Sequence, residues 1–284
     1  MSWLSRDGCL ALGGTGGLLV CLLLAGCSLM TPKKEASVER ATSATAEELT
    51  TLLRQREAAI HSLKGLFTAK VRGGLIPIAS RVEGTVYYRR PDAVRLRGFT
   101  PIGGELFEFV QAGDLYKLRL PTMGRVLTGR QAEMATKQEL ARPFQLSVWA
   151  VGGVLGTGAV ANGETVRLAE AGDRYRLDVY ADGRSDADRT TPIRRLWFDR
   201  RTLFVVQEDR LAMNGDVEAT IYYEDFRQVE EAAGEAWPME RRSLLVRPFK
   251  ISLEDGRGQG SIQITFHEIL PNQTIKTEEL GEVL

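Results

Sequence analysis

The sequence predicts a mainly β protein, with one large antiparallel sheet curled into a half-barrel and covered by amphipathic helices. Three observations predict it. Apolar residues recur with a period of two over most of the chain from Leu63 onward. Turn pairs such as Gly113-Asp114, Asp182-Gly183 and Asn214-Gly215 separate those runs. Two segments carry a helical period instead and need an apolar surface to lie on. A sheet of about a dozen strands must curl, and helices laid across its concave side bury both apolar surfaces.

Taken in order, residues 1–26 read as an export signal. Arg6 gives a weak positive start, and Gly8 to Gly26 is almost wholly apolar or small. A short apolar stretch closing on small residues is a cleavable signal, not a stable membrane span. Leu24-Ala25-Gly26 leads directly into Cys27, an arrangement that resembles the bacterial lipobox. The resemblance implies that the Cys27 thiol is acylated, that the signal is cut before it, and that lipid chains such as palmitate anchor the mature protein. Ser28 stands where an aspartate often retains lipoproteins at the inner membrane. The expected location is therefore the outer membrane, facing the periplasm. Cys9 and Cys21 leave with the signal, so no thiol remains for a disulfide, a metal site or catalysis. Residues 27–44 form the lipidated cysteine and a polar tether; about 16 such residues span roughly 20 Å r.m.s.. Residues 45–284 are expected to fold as a single domain.

Thr45 and Glu48 have capping-box spacing, and Leu49, Leu52, Leu53, Ile60 and Leu63 follow at helical intervals. They predict an amphipathic helix from about Ala46 to His61. Val82, Gly84, Val86 and Tyr88 then share one face of "SRVEGTVYY", and "AVRLRG" and "DLYKLRL" alternate likewise. Five or six strands are expected between Leu63 and Gly129. "RPFQLSVWAVGG" is helical, with Pro143 at its start, an apolar stripe through Phe144, Leu146, Val148, Trp149 and Val151, and Gly152-Gly153 as its stop. The glycines up to Gly163 read as a loop. Strands resume with "DRYRLDVYAD", "PIRRLWFD", "TLFVVQEDRLA", "GDVEATIYYEDF", "MERRSLLV", "FKISLED" and "SIQITFHEI".

Composition excludes more than it suggests. Lys+Arg and Asp+Glu are each 37, so no net basic field draws nucleic acid. The arginines that recur along the strands alternate with acids, as on the solvated face of a sheet. His61 and His267 are the only histidines, and there is no paired-ligand spacing for zinc and no G-x-S-x-G elbow. Asp182, Asp186 and Asp188 lack the glycine and terminal glutamate of a calcium loop. No cofactor, no metal and no enzyme activity are expected.

One stretch resembles a known family. "RPDAVRLRGFTPIGGELFEF", Arg90 to Phe109, has an Asp-led strand with arginine, a Pro-aliphatic-Gly turn and an alternating strand. That order is similar to the Lol lipoprotein-sorting proteins, closest to the outer-membrane acceptor LolB and more distantly to the carrier LolA. "RPFQLSVWAVGG" resembles the acceptor's helix. The likeness runs from about Thr45 to Trp197, and the strands after Asp209 have no evident counterpart. It implies that Ile102, flanked by Pro101 and Gly103, matches an exposed apolar residue that pushes acyl chains into the membrane. It implies that Arg90 matches an arginine associated with closing the cavity. The alternatives are an Ile102 folded back on the sheet and an Arg90 that merely flanks a turn.

The resemblance further implies an apolar groove for acyl chains, lined and lidded by Leu49, Leu53, Ile60, Val86, Tyr88, Leu96, Leu118 and Trp149. Its ligands would be acylated lipoproteins or other lipids, received from a periplasmic lipoprotein carrier and inserted into the outer membrane. Each acyl CH₂ withdrawn from water contributes about 0.8 kcal/mol. The other reading is a structural envelope lipoprotein that docks a protein partner. A groove filled by the protein's own helix, together with an exposed sheet edge, would favour it.

Overall fold

The computed structural model describes residues 43–73, 81–131, 133–134, 142–155, 158–182, 191–229, 244–258 and 260–283. Cys27, the signal and most of the tether lie outside them, as do Asp186, Asp188 and Pro238. The order of elements is α1 (Ala46–Ala58), β1 (Ser62–Gly73), β2 (Arg81–Arg89), β3 (Ala93–Phe99), β4 (Glu105–Ala112), β5 (Leu115–Leu120) and β6 (Arg125–Arg130). Then come α2 (Arg142–Leu155), β7 (Thr165–Ala171), β8 (Arg174–Tyr180), β9 (Arg194–Asp199), β10 (Val205–Leu211) and β11 (Val217–Gln228). The chain closes with β12 (Val246–Asp255), β13 (Gly260–Pro271) and a short α3 (Thr277–Leu280).

All strands join one 13-stranded sheet in the order β6-β5-β4-β3-β2-β1-β13-β12-β11-β10-β9-β8-β7. Two antiparallel meanders thus meet where β1 pairs with β13, from Leu63↔Pro271 to Gly73↔Gly260. The sheet is open, with β6 and β7 as its edges. Because every neighbour is antiparallel, β1, β3, β5, β8, β10 and β12 all run the same way. Their C-terminal turns share one end of the sheet and their starts share the other.

Side chains directly opposite one another across antiparallel strands share a face. The register therefore draws one apolar row across the molecule. It passes through Leu177, Leu196, Glu208, Ile221, Leu253, Ile262 and Val71. It continues beyond β1 through Val86, Leu96, Phe109, Leu118 and Leu127. The opposite face carries charge: Arg95 and Arg119 both reach Glu108, and Arg97 and Arg119 both reach Glu105. Burial alone would raise the Glu108 carboxyl, but hydrogen bonds and charge from Arg95 and Arg119 hold it below the usual range. The alternation of arginine and acid in the sequence is this ladder.

Several expectations need correction. Helix α1 ends at Ala58 rather than His61, because the chain must enter β1 at Ser62; Ile60 lies past the helix, fully buried. Gly152-Gly153 do not stop α2, which runs to Leu155. A Cβ on Gly153 would lie 2.1 Å from the Tyr223 ring, so that glycine serves close helix–sheet approach. Strand β7 was not among the expected strands; Val166 and Leu168 alternate with Thr165 and Arg167 and pack, half-buried, against the smaller apolar cluster. Val246 to Asp255 is one strand and not parts of two, and it tolerates Pro248 because pairing with β13 covers only Lys250 to Glu254. The rest of "MERRSLLV" lies mostly outside the described residues. Helix α3 was not expected; it sits on the charged face, where Glu279 meets Lys64 at 2.8 Å.

Candidate functional site

The apolar face divides into two clusters, each under its own helix. The larger lies beneath α2, whose Phe144, Leu146, Ala150, Val151, Val154 and Leu155 are buried against β1–β6 and β11–β13. Phe144 packs on Phe107 with ring centroids 4.8 Å apart. A buried ion pair, Arg142 to Asp255 at 2.8 Å, fixes the start of the helix. The smaller cluster is Leu49 and Leu53 of α1 over Tyr175, Leu177, Val179, Leu196 and Phe198.

Between the clusters stands Glu208. It is 3% exposed, on the apolar face, flanked by Leu196 and Ile221. Arg210 lies 2.6 Å from its carboxylate, and the Tyr223 hydroxyl donates to it at 3.2 Å. Burial pushes the Tyr223 hydroxyl well above its ordinary range, with the Glu208 charge adding to the effect, so it remains a donor.

A pocket opens at this boundary. Leu53 and Arg56 of α1, Gly153 of α2, Phe204, Glu208, Tyr223, Phe226, Arg247 and Pro248 line it. Its free volume is about 60 Å³, against roughly 300–1,000 Å³ for ordinary small-molecule sites. A second pocket, beneath α2 beside Phe107 and Phe144, has only about 20 Å³. The apolar face is therefore filled by the protein's own helices at these two places.

Helix α1 lies along the end of the sheet where β1, β3, β8, β10 and β12 begin. There the backbone N–H of Ala44 donates to the Tyr175 hydroxyl at 3.2 Å. Arg90 donates from Nε to the Ile60 carbonyl at 2.8 Å, and its other guanidinium nitrogen donates to the Glu57 carbonyl. Arg247 donates to the Arg56 carbonyl at 2.8 Å, and Arg56 donates to the Leu203 carbonyl at 2.6 Å. Cations at a helix C-terminus complement its dipole and its unpaired carbonyls. Burial pushes the Arg56 guanidinium down to about 10. Burial and the charge of Arg56 push Arg247 down to about 9, so both remain charged at neutral pH.

The expected site residues scatter differently from the single groove foreseen. Val86, Tyr88, Leu96, Leu118 and Ile60 are packed core of the larger cluster, Leu49 and Leu53 belong to the smaller one, and Trp149 is half-buried with the Arg210 guanidinium 5.4 Å from its ring centroid. Arg90 is at the end of α1. Ile102 is 96% exposed on the β3–β4 turn, closed by the Thr100 N–H to Gly104 carbonyl bond at 2.8 Å and by Gly103 at φ +93°. The alternative of an Ile102 folded onto the sheet is excluded. Met213, on the β10–β11 turn at the same end of the sheet, is 93% exposed. Arg56, Arg247 and Glu208 carried no pattern that marked them in the sequence. Among the described residues, no group of three or more His, Cys, Asp or Glu is placed to hold a metal.

This open antiparallel half-barrel with helices on its apolar face is the LolA/LolB-like fold. Among solved structures, a DUF1329 family protein from Desulfovibrio piger superposes with a TM-score of 0.58 at 8% identity, covering 84% of this chain and 98% of its own. A putative outer membrane lipoprotein-sorting protein domain from Vibrio parahaemolyticus gives 0.54 at 8%, covering 84% and 97%. A LolA superfamily protein from Nitrosomonas europaea gives 0.51 at 12%, covering 84% and 99%. At such identities the likeness is one of fold. A match over 84% of 284 residues cannot end at Asp209, so strands beyond that residue have counterparts after all. No protein-family model and no curated protein sequence matches the chain.

Proposed function

We propose that this protein is a lipid-anchored envelope lipoprotein that binds acyl chains on the apolar face of its half-barrel and passes them to the outer membrane. The observation that carries the reading is the division of that face between two unequally held covers. Helix α2 buries eight residues; α1 buries only Leu49, Thr50 and Leu53. A buried leucine is worth about 1.5–3 kcal/mol, so α1 is the cover that an acyl chain can displace. The lipoprotein-sorting and LolA superfamily relatives in fold support the same class of ligand. In this reading acylated Cys27 is the anchor, Arg90 latches the lid, and the Pro101-Ile102-Gly103 turn meets the bilayer. The tether reaches α1 at the end of the sheet opposite Ile102. Its 16 or so residues extend at most roughly 55 Å, more than the roughly 40 Å of a twelve-residue strand. The lipoprotein carrier is the expected donor, and neither enzyme chemistry nor a cofactor takes part.

A second reading, a structural lipoprotein that docks a protein partner, is favoured by the filled groove and by edge strand β6, whose residues are all exposed or half-buried. Native mass spectrometry of the full chain released from membranes separates the two. Co-purifying acylated species support the first, and their absence together with a bound protein supports the second.

A further inference from the structure

Among the described residues, seven arginines have a buried Nε without a hydrogen-bond partner: Arg56, Arg142, Arg176, Arg195, Arg200, Arg210 and Arg247. Five of them stand beside a carboxylate: Arg142 at Asp255, Arg176 and Arg195 at Asp178, Arg200 at Glu170 and Arg210 at Glu208. Arg56 and Arg247 have no acid within ion-pair distance among the described residues. Both line the same pocket. Arg247 is 2% exposed, and its bonds go to the carbonyls of Leu244, Val246 and Arg56. The one carboxylate of the pocket, Glu208, is engaged by Arg210 and Tyr223. Arg247 is almost wholly removed from water and Arg56 is half-buried beside it; like charges so placed with no counter-ion are costly unless an anion joins them.

We infer that Arg56 and Arg247 form a binding site for the anionic headgroup of an amphiphile, a phosphate or carboxylate, whose acyl chain lies against the apolar lining between α1 and α2. The inference rests on the acyl-binding reading and specifies its ligand. The chemistry fits on three counts. The Nε–H of each arginine is buried without an acceptor. Guanidinium groups are weakly hydrated and match phosphate and carboxylate oxygens. Beside them, Leu53, Leu196, Val205, Phe226 and Val246 offer a path of apolar surface. Arg56 also stacks on Phe204, 4.5 Å from its centroid, which fixes its plane. Because Arg247 donates to the Arg56 carbonyl, an anion drawn to the pair loads the end of α1. Headgroup binding is thereby coupled to movement of the lid.

The test uses the full chain in a non-ionic detergent, titrated in native mass spectrometry with oleoyl lysophosphatidic acid or with monooleoylglycerol, which lacks only the phosphate. Wild type should prefer the phosphorylated lipid by about 10- to 100-fold, the range for hydrogen bonds to a charged group. Arg247→Gln and Arg56→Gln should each erase most of that preference, read as the ratio of the two lipids' affinities within each variant. Arg56→Lys should keep a reduced preference, and it serves if the Gln variants do not fold. Equal binding of both lipids to wild type overturns the headgroup site and leaves the acyl reading standing. Binding of neither overturns the acyl reading. Displacement of the lipid by inorganic phosphate alone, at concentrations comparable to the lipid's own, overturns the amphiphile and makes the pocket a free-anion site.

Discussion

The two apolar clusters share one sheet face and differ in almost everything else. Beneath α2, aromatic and aliphatic side chains from nine strands interlock, and the buried Arg142 meets the buried Asp255 at 2.8 Å. Beneath α1, two leucines rest on two strands, and the polar residues at the margin include two arginines without an acid among the described residues. In the first arrangement the buried cation has its counter-charge, although Arg142 Nε and one Asp255 oxygen lack hydrogen-bond partners. The second leaves two cations without a counter-charge among the described residues, which native proteins tolerate where something binds or moves.

If that contrast is sound, Leu146→Ala and Leu49→Ala should part company. Both residues are fully buried. Leu146→Ala should cost about 2–5 kcal/mol of global stability in urea unfolding, as for cavities in a closed core. Leu49→Ala should mainly speed hydrogen exchange across α1, with a smaller shift of the global midpoint. Equal global losses would make the two clusters one cooperative core and remove the case for a lid.

Gly153→Ala tests the seam between the regions. In an exposed helix the change would gain up to about 1 kcal/mol. Here the new methyl would lie 2.1 Å from the Tyr223 ring, and overpacking of that kind costs about 1–3 kcal/mol. A lower melting temperature is expected; a higher one would mean that α2 stands off the sheet.

The outer charge ladder offers a smaller, pH-dependent effect. The Glu108 carboxyl is held below its unfolded value, so its contribution is present above that value and is lost as pH falls through the folded one. Glu108→Gln should lower stability near neutral pH and flatten the decline on the acid side. A slope unchanged from wild type would mean that Arg95 and Arg119 do not act through Glu108.

The legibility of the sequence follows the same division. Strands β2, β3 and β5 were plain because one face is buried and the other charged, which is the condition for a period of two. The turn at Ile102 was plain because Pro101 and Gly103 restrict the backbone whatever surrounds them. By contrast, Glu208 reaches the apolar face on a strand whose pairing with β9 shifts register between Val205 and Gln207. A bulge of that kind reverses the faces without altering composition. Arg56 and Arg247 are 191 residues apart, and nothing local tells a buried arginine from a solvated one. Gly153 looked like a helix stop because the other reason for a glycine, a tyrosine ring from β11, is a tertiary fact.

The smallest effect on stability is expected at the far end of the sheet, where, among the described residues, each meander raises one almost fully exposed large apolar residue, Ile102 from the first and Met213 from the second. Neither packs on anything that a substitution would disturb, so Ile102→Glu and Met213→Glu should each change stability by no more than about 0.5 kcal/mol. Their effects on membrane transfer should differ. Ile102 is held out on a turn closed by three short hydrogen bonds, between a proline and a glycine at positive φ, and a tip of that stiffness can penetrate without folding back. A charge there must enter hydrocarbon at a cost of several kcal/mol. Ile102→Glu should therefore leave ligand binding intact and block delivery of a bound acylated protein to liposomes, while Ile102→Leu delivers normally and Met213→Glu delivers at a reduced rate. Delivery by Ile102→Glu at the wild-type rate removes that turn from insertion. A block by Met213→Glu as complete as that by Ile102→Glu would show that both meanders, and not one protruding loop, meet the bilayer.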